Sequence, residues 1–166
     1  MLRTALIHPQ ILEALGSAGH GSLVLISDGN FPSLTAPHAG ARRVYLNLRP
    51  GLVSVTEILA TLLPAIPIEQ VVLMDPDDGA QPPVQGDIVS MLGPETRVAR
   101  LSRLDFYGAT RSTDLALVIV SGDQRWYANL LITIGSIPEA ETSRLSQPQH
   151  TEQPTADPQD GMAPTR

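Results

Sequence analysis

Apolar residues occur along the chain in short runs, separated by polar turns rich in glycine and proline, and the runs follow two different periods. Ile11, Leu12 and Leu15 form a stripe at helical spacing behind Pro9, and Gly16 and Gly19 punctuate its end, which predicts a helix over Pro9–Ala18. Leu23–Ile26 is a continuous apolar run of strand length, the kind buried on both faces of a sheet, and Ser27-Asp28-Gly29-Asn30 closes it with turn chemistry. Val44–Leu48 alternates and predicts a second strand. Ser54 with Glu57 forms a capping-box pattern, opening a helix that carries Val55, Ile58, Leu59, Leu62 and Leu63 and stops at Pro64. Val71–Met74 is a third strand, and Asp77–Pro83 a loop. One or two helical turns follow over Asp87–Leu92, then a strand over Val98–Leu101 and a short helix over Leu104–Thr110. Leu115–Val120 is a strongly apolar strand, Gly122-Asp123 a turn, and Tyr127–Ile134 the last strand.

Helices interleaved with short apolar strands predict an α/β fold, a single domain whose helices cover a central sheet. From about Pro138 the chain turns to Pro, Gln, Thr, Glu, Asp and Ser, with too few apolar residues to offset the entropy of ordering. The expected division is a folded domain over 1–137 and a disordered acidic tail over 138–166. The chain has 166 residues with a net charge of −6, so binding to a phosphate backbone is not expected. All 11 basic residues are arginine, which excludes a Walker A loop and any lysine-tethered cofactor. With no cysteine, thiolate metal sites and cysteine nucleophiles are excluded too. The start carries no signal-peptide pattern and no window of about 18 apolar residues spans a membrane, so the expected location is the cytoplasm, without a membrane partner.

The remaining chemistry belongs to His, Asp, Glu, Tyr, Ser, Thr and Arg. His20 lies between Gly19 and Gly21, where the backbone is free to approach a partner closely; a histidine beside a helix end also simply complements the helix dipole. Asp28 sits where a buried strand gives way to a loop, the place where ligands collect in open α/β sheets, and equally the place of a turn-capping Asp. About 25 Å of extended backbone, at about 3.3 Å per residue, separates the two. They share a site within one chain only if the His20 loop folds back; otherwise the site crosses a subunit boundary. Tyr127 and Asn129 alternate on one face of the predicted last strand and offer groups suited to sugar hydroxyls, with Trp126 on the other side. Asp75-Pro76-Asp77-Asp78-Gly79 fails the calcium-loop pattern, with Gly one place early and Gly86 where the loop needs Glu. Gly16–Gly21 follows a helix and precedes a strand, the reverse of a dinucleotide fingerprint. The histidines at 8, 20, 38 and 150 show no metal-ligand spacing, so no metal is expected.

Several of these pieces, in order, resemble the ribose pyranase and fucose mutarotase family of sugar metabolism. They are Ala18-Gly19-His20-Gly21 after a Leu-rich helix, Ser27-Asp28-Gly29-Asn30-Phe31-Pro32, and Phe106-Tyr107. The last is Ser121-Gly122 followed by Tyr127-Ala128-Asn129-Leu130-Leu131-Ile132 and Gly135. Phe31-Pro32 and Phe106-Tyr107 lean toward the fucose branch. The resemblance implies ring-forming homo-oligomers, commonly decamers of two stacked pentamers, with sites at subunit boundaries. It implies cofactor-free interconversion of the anomers of a free monosaccharide. His20 would be the acid/base group, Asp28 would orient it or bind hydroxyls, and Tyr107, Tyr127 and Asn129 would contact the sugar. The chain departs from the fucose pattern at Leu48-Arg49-Pro50-Gly51 and at Gly108-Ala109, positions that bear on which sugar is used. Ring opening and closing needs one group to take the anomeric proton and another to protonate the ring oxygen, and an imidazole performs either half near neutrality. Ribose pyranase activity, and sugar binding without turnover, are the alternative expectations.

Overall fold

The computed structural model describes residues 2–139 and Thr142. Residues Met1–Ser136 make one compact unit, and the chain from Ile137 onward is a second. The tail expected over 138–166 therefore lies almost wholly outside the described residues. Ten elements follow in chain order: α1 (Pro9–Ser17), β1 (Leu23–Ser27), β2 (Arg42–Tyr45), α2 (Val55–Leu62), β3 (Ile68–Asp75), α3 (Pro83–Met91), β4 (Arg97–Ser102), α4 (Arg103–Ala109), β5 (Leu115–Val120) and β6 (Leu130–Ile134). The predicted α/β class is what the structure has.

The strands form one six-stranded sheet in the order β2-β5-β1-β6-β3-β4. β2, β5 and β1 are parallel to one another, and so are β3 and β4. β6 runs antiparallel to both β1 and β3 and joins the two parallel blocks. The carboxyl ends of β1 and β3 thus meet at the same sheet edge as the start of β6. The run Leu23–Ile26, predicted as buried on both faces, is the interior strand β1, with Val24, Leu25 and Ile26 inaccessible to solvent, as are Leu117, Val118 and Ile119 of the strongly apolar β5. Alternation along each strand splits the core in two. Val24, Ile26, Val71, Leu73, Leu130 and Ile132 pack with α1, α2 and α3 on one face. Leu25, Met74, Val118 and Leu131 pack with Phe31, Phe106 and Ala36 on the other, where α4 lies.

The capping box of α2 is present, with Ser54 and Glu57 bonded reciprocally. Several boundaries differ from the sequence expectation, among them those of β2, α3 and β6. β2 starts at Arg42 and ends at Tyr45, because the Arg43 guanidinium folds back onto the carbonyls of Ser33, Pro37, His38, Ala39 and Ala41 and draws this segment into the ladder, while Leu48 is left in solvent. α3 begins at Pro83, not Asp87; proline at the first helical position forfeits no hydrogen bond, so the prolines read as loop start a helix. β6 begins at Leu130, not Tyr127: the Tyr127 backbone is left-handed, at φ 60°, which no strand tolerates. Among the described residues no helix is long and apolar enough to cross a membrane.

Gly122, just past β5, lies where two segments meet. Its N–H donates to Val53 O at 3.0 Å and its carbonyl accepts from Gly51 N at 2.6 Å. A Cβ at this position would collide with the carbonyl oxygen of Leu52 and stand 2.7 Å from that of Arg49, both of them backbone atoms. Gly122→Ala is expected to cost about 1–3 kcal/mol through forced backbone displacement, read as a fall in the urea midpoint at unchanged slope. A midpoint equal to the wild type's would show that the 49–53 segment has room to move.

Candidate functional site

A cavity of about 310 Å³ opens at the sheet edge where β1 and β3 end and β6 begins. This is the crevice outside the carboxyl ends of parallel strands, at the point where the chain's strand order switches direction, the general location of ligand sites in open α/β sheets. Asp28, Asn30 and Phe31 reach it from the loop after β1, Met74 from the end of β3, Arg103 and Tyr107 from α4, and Trp126, Tyr127 and Asn129 from the turn before β6. Four of the five residues expected from the sequence, Asp28, Tyr107, Tyr127 and Asn129, line this one cavity.

Asp28 and Asn129 form its floor. The Asp28 N–H donates to Asn129 Oδ1 at 2.9 Å, and Asn129 Nδ2 donates back to Asp28 Oδ2 at 2.9 Å. Asp28 Oδ1 accepts the N–H groups of Asn30 and Phe31, each at 2.9 Å, an Asx turn that shapes the loop. Both residues are buried. Burial pushes the Asp28 carboxyl above its ordinary value, and the hydrogen bonds from Asn30, Phe31, Asn129 and Ala128 offset this only in part.

The walls are aromatic. Phe31 meets Tyr107 edge-to-face at 5.1 Å and Phe106 at 6.2 Å, so the loop after β1 is packed onto α4. Ser102 caps α4 by accepting from Asp105 N, and the i, i+4 spacing puts Arg103 on the same helix face as Tyr107. Arg103 Nη2 lies 3.4 Å from Asp77 Oδ2 in a solvent-exposed pair, and Arg103 also lines the cavity. Trp126 is 75% exposed at the rim. Asp123 anchors the turn that carries Trp126 and Tyr127: its carboxylate accepts Val55 N at the start of α2 and the Arg125 guanidinium. Burial pushes the Asp123 carboxyl up, but the Arg125 hydrogen bonds and the Val55 N–H hold it below its ordinary value. A left-handed backbone at a residue other than glycine costs about 1–3 kcal/mol, and such residues cluster at functional sites. Tyr127 is one.

His20 is elsewhere. It sits in the tight turn Gly19–Ser22 before β1, with Gly21 at φ 83°, at the sheet edge opposite the cavity. Its ring is 62% exposed, and Nε2 lies 2.8 Å from Glu69 Oε2 on β3. Arg97 of β4 holds the other Glu69 oxygen. The hydrogen bond from His20, with the Arg97 charge, keeps the Glu69 carboxyl below its ordinary range. Within one chain the His20 loop does not fold back, and the carboxylate beside His20 is Glu69, not Asp28.

Two expectations about the final strand need correction. Tyr127 and Asn129 do not alternate on a strand face, because the strand starts after them; the turn brings both to the cavity. Trp126 does not point away from them but lines the same cavity, since the left-handed Tyr127 breaks the alternation that an extended chain would impose. The sequence reading also missed Arg103, Asn30, Phe31 and Met74 as lining residues. The i, i+4 relation to Tyr107 could have found Arg103, and the Asx turn at Asp28 could have found Asn30 and Phe31.

The chain belongs to the RbsD / FucU transport protein family, whose model matches residues 1–137. It is 30% identical over 139 residues to the D-ribose pyranase of Paracidovorax citrulli, covering 81% of this chain and 98% of that protein. It is 26% identical over 144 residues to the human fucose mutarotase, covering 79% of this chain and 90% of that protein. The fold matches that of Bacillus subtilis RbsD, solved with D-ribose, at a TM-score of 0.72 and 23% identity, over 83% of this chain and all of that one. The ribose pyranase and fucose mutarotase relatives are isomerases, in agreement with the reading of this chain as an isomerase.

Asn129→Leu removes both halves of the Asp28 clamp and leaves a buried carboxyl short of a donor, at an expected cost of about 1–3 kcal/mol near neutral pH. The lost bond favoured the carboxylate, so Asp28 in the variant is raised still further above 3.8. A carboxyl raised in the folded state destabilises above its unfolded pKa and not below it. The deficit against wild type is therefore expected to shrink as pH falls from about 7 to about 4, measured by chemical denaturation at both. An equal deficit at the two values would mean that Asn129 does not act on the carboxylate.

Proposed function

We propose that the chain is a cofactor-independent sugar mutarotase that interconverts the anomers of a free aldose, L-fucose or a similar sugar. The site is shared: the cavity of one chain binds the sugar, and His20 of a neighbouring chain in a closed ring, by the family resemblance a decamer, completes it. The observation that carries this reading is the convergence of Asp28, Tyr107, Tyr127 and Asn129 on one cavity of about 310 Å³, with His20 exposed at the opposite sheet edge. Head-to-tail contacts that close into a ring bring such opposite surfaces of neighbouring copies together.

The chemistry asks for two proton transfers and a held ring. The tyrosine hydroxyls and the remaining N–H of the Asn129 amide are suited to sugar hydroxyls, and the Arg103 guanidinium adds a fixed fork of donors. Phe31, Met74 and the Tyr107 ring make an apolar wall that suits the methyl group of a 6-deoxy sugar, which supports fucose. The His20 ring, with its Nε2 proton directed at Glu69, presents a bare Nδ1 as base, and Glu69 stabilises the imidazolium formed after proton uptake. A tyrosine hydroxyl or a water supplies the proton for the ring oxygen. The 30% identity to a D-ribose pyranase supports a second reading, interconversion of ribose pyranose and furanose forms at the same site.

Exchange NMR on a panel containing fucose and ribose tests both readings. Wild type is expected to accelerate fucose anomer exchange, and His20→Ala to lose about 10²–10⁴-fold. Acceleration of ribose alone selects the second reading, and no acceleration of any aldose removes the enzyme reading. Co-refolding His20→Ala with Tyr127→Ala subunits is expected to restore activity at about one site in four, by random pairing of intact half-sites across a heterologous interface. A mixture as inactive as its parents, or a 17.7 kDa monomer by light scattering, would overturn the shared site.

A further inference from the structure

We infer that Gln85 is a positioning residue for this site: it fixes the left-handed Tyr127 backbone against the end of β3 and so sets where the Tyr127 ring and hydroxyl stand. The inference rests on the mutarotase reading for its kinetic consequence, but not for its geometry. Gln85 is in α3, points into the sheet and is 1% exposed. Its amide nitrogen donates to two carbonyls from separate walls of the cavity, Met74 O at 2.8 Å and Tyr127 O at 3.2 Å. Its amide oxygen accepts from Arg100 Nη1 at 2.7 Å, and the same nitrogen reaches Asp75 Oδ1 at 2.8 Å.

Both amide hydrogens and the amide oxygen are engaged, so the side chain has no freedom left. β6 cannot supply this link, because its ladder to β3 stops at Leu130 opposite Leu73. Gln85 takes over where the ladder ends, bridging Met74 to Tyr127 across the gap in which the cavity lies. The residue type is demanded by the partners. Two carbonyl oxygens call for two donors and the Arg100 guanidinium calls for an acceptor, and a primary amide supplies both. A carboxylate would satisfy Arg100 but repel both carbonyls; a leucine would take the amide donors from both carbonyls and leave Arg100 with Asp75 as its acceptor.

The test compares Gln85→Leu and Gln85→Glu with wild type by exchange NMR, with circular dichroism and assembly size as controls. Gln85→Leu is expected to lower kcat/KM by about 10–100-fold, the scale of an ångström-sized misplacement, at unchanged assembly. Gln85→Glu keeps an acceptor for Arg100 and loses both donors, so its kcat/KM is expected to fall as that of Gln85→Leu does. A purely structural role lowers the urea midpoint or the yield of assembled protein and leaves kcat/KM per assembled site at the wild-type value. Wild-type kcat/KM per assembled site in either variant would overturn the inference. If wild type exchanges no sugar, the mutarotase reading fails by itself and the geometry is read from Trp126, the chain's one tryptophan and the neighbour of Tyr127. Its fluorescence anisotropy is then expected to fall in Gln85→Leu, and an unchanged value would show that Gln85 does not hold the turn.

Discussion

The reciprocal pair between Asp28 and Asn129 ties together the two halves of the molecule at the place where function is built. β6 is the only strand of the sheet that runs against its neighbours, and its ladder with β1 ends at Leu130 opposite Ile26. One step further the backbone bends away toward Tyr127, and the Asn129 side chain takes the place of the missing rung: its oxygen accepts the Asp28 N–H as a strand carbonyl would. The second bond, from the amide nitrogen to Asp28 Oδ2, binds the carboxylate that also folds the next loop through Asn30 and Phe31. One side-chain pair thereby closes the sheet, shapes the loop and forms the cavity floor. Its weakness is electrostatic. Burial still outweighs the hydrogen bonds at Asp28, so each donor removed leaves the carboxyl further out of balance.

Much of the frame was legible because burial on both faces writes continuous apolar runs. Leu23–Ile26 and Leu115–Val120 announced themselves as strands, and the Ser54–Glu57 box marked the start of α2 through chemistry local to four residues. Errors arose where a distant partner decides. Arg42 and Arg43 look like loop residues until their partners are known, the Glu13 carboxylate for the first and a set of loop carbonyls for the second. Tyr127 looks like a strand residue, aromatic and followed by an apolar run, until the demands of an antiparallel strand at the switch point force the chain to turn there. Gln85, between Val84 and Ile88, has no feature in the sequence that separates it from a solvated helix position. Strand order was not legible, since no local pattern states that β6 inserts between β1 and β3. The candidate site was legible mainly as an ordered set of short blocks resembling one family. Periodicity alone would have put Trp126 on the wrong side.

The separation of His20 from the cavity is itself a physical statement. β1 connects them: His20 precedes its first residue and Asp28 follows its last, so the rigid strand that joins them also keeps them apart. No side-chain rotation closes a gap as long as a strand. Exposed ion pairs contribute little to folding stability, so a histidine, a glutamate and an arginine brought together on the surface from a turn and two strands are poorly explained as scaffolding. In the proposed shared site the same three make sense as a unit. Arg97 fixes Glu69, Glu69 fixes the ring of His20, and the free nitrogen is held outward for a neighbouring chain.

A reaction made only of proton transfers rewards placement over reactive groups. No side chain in a chain without lysine or cysteine forms a Schiff base or a thioester, and ring opening of a sugar requires neither. What it requires is that the oxygen losing a proton and the oxygen gaining one each sit within hydrogen-bond reach of a partner at the same moment. The cavity is accordingly built on hydrogen-bonded supports: a strand end clamped by Asp28, a capped helix presenting Arg103 and Tyr107, and a strained turn held from two sides by Asp123 and Gln85. Strain at Tyr127 persists because these contacts over-determine it. Relaxing that turn would remove a local penalty, and would move the one aromatic hydroxyl whose position the surrounding network is arranged to hold.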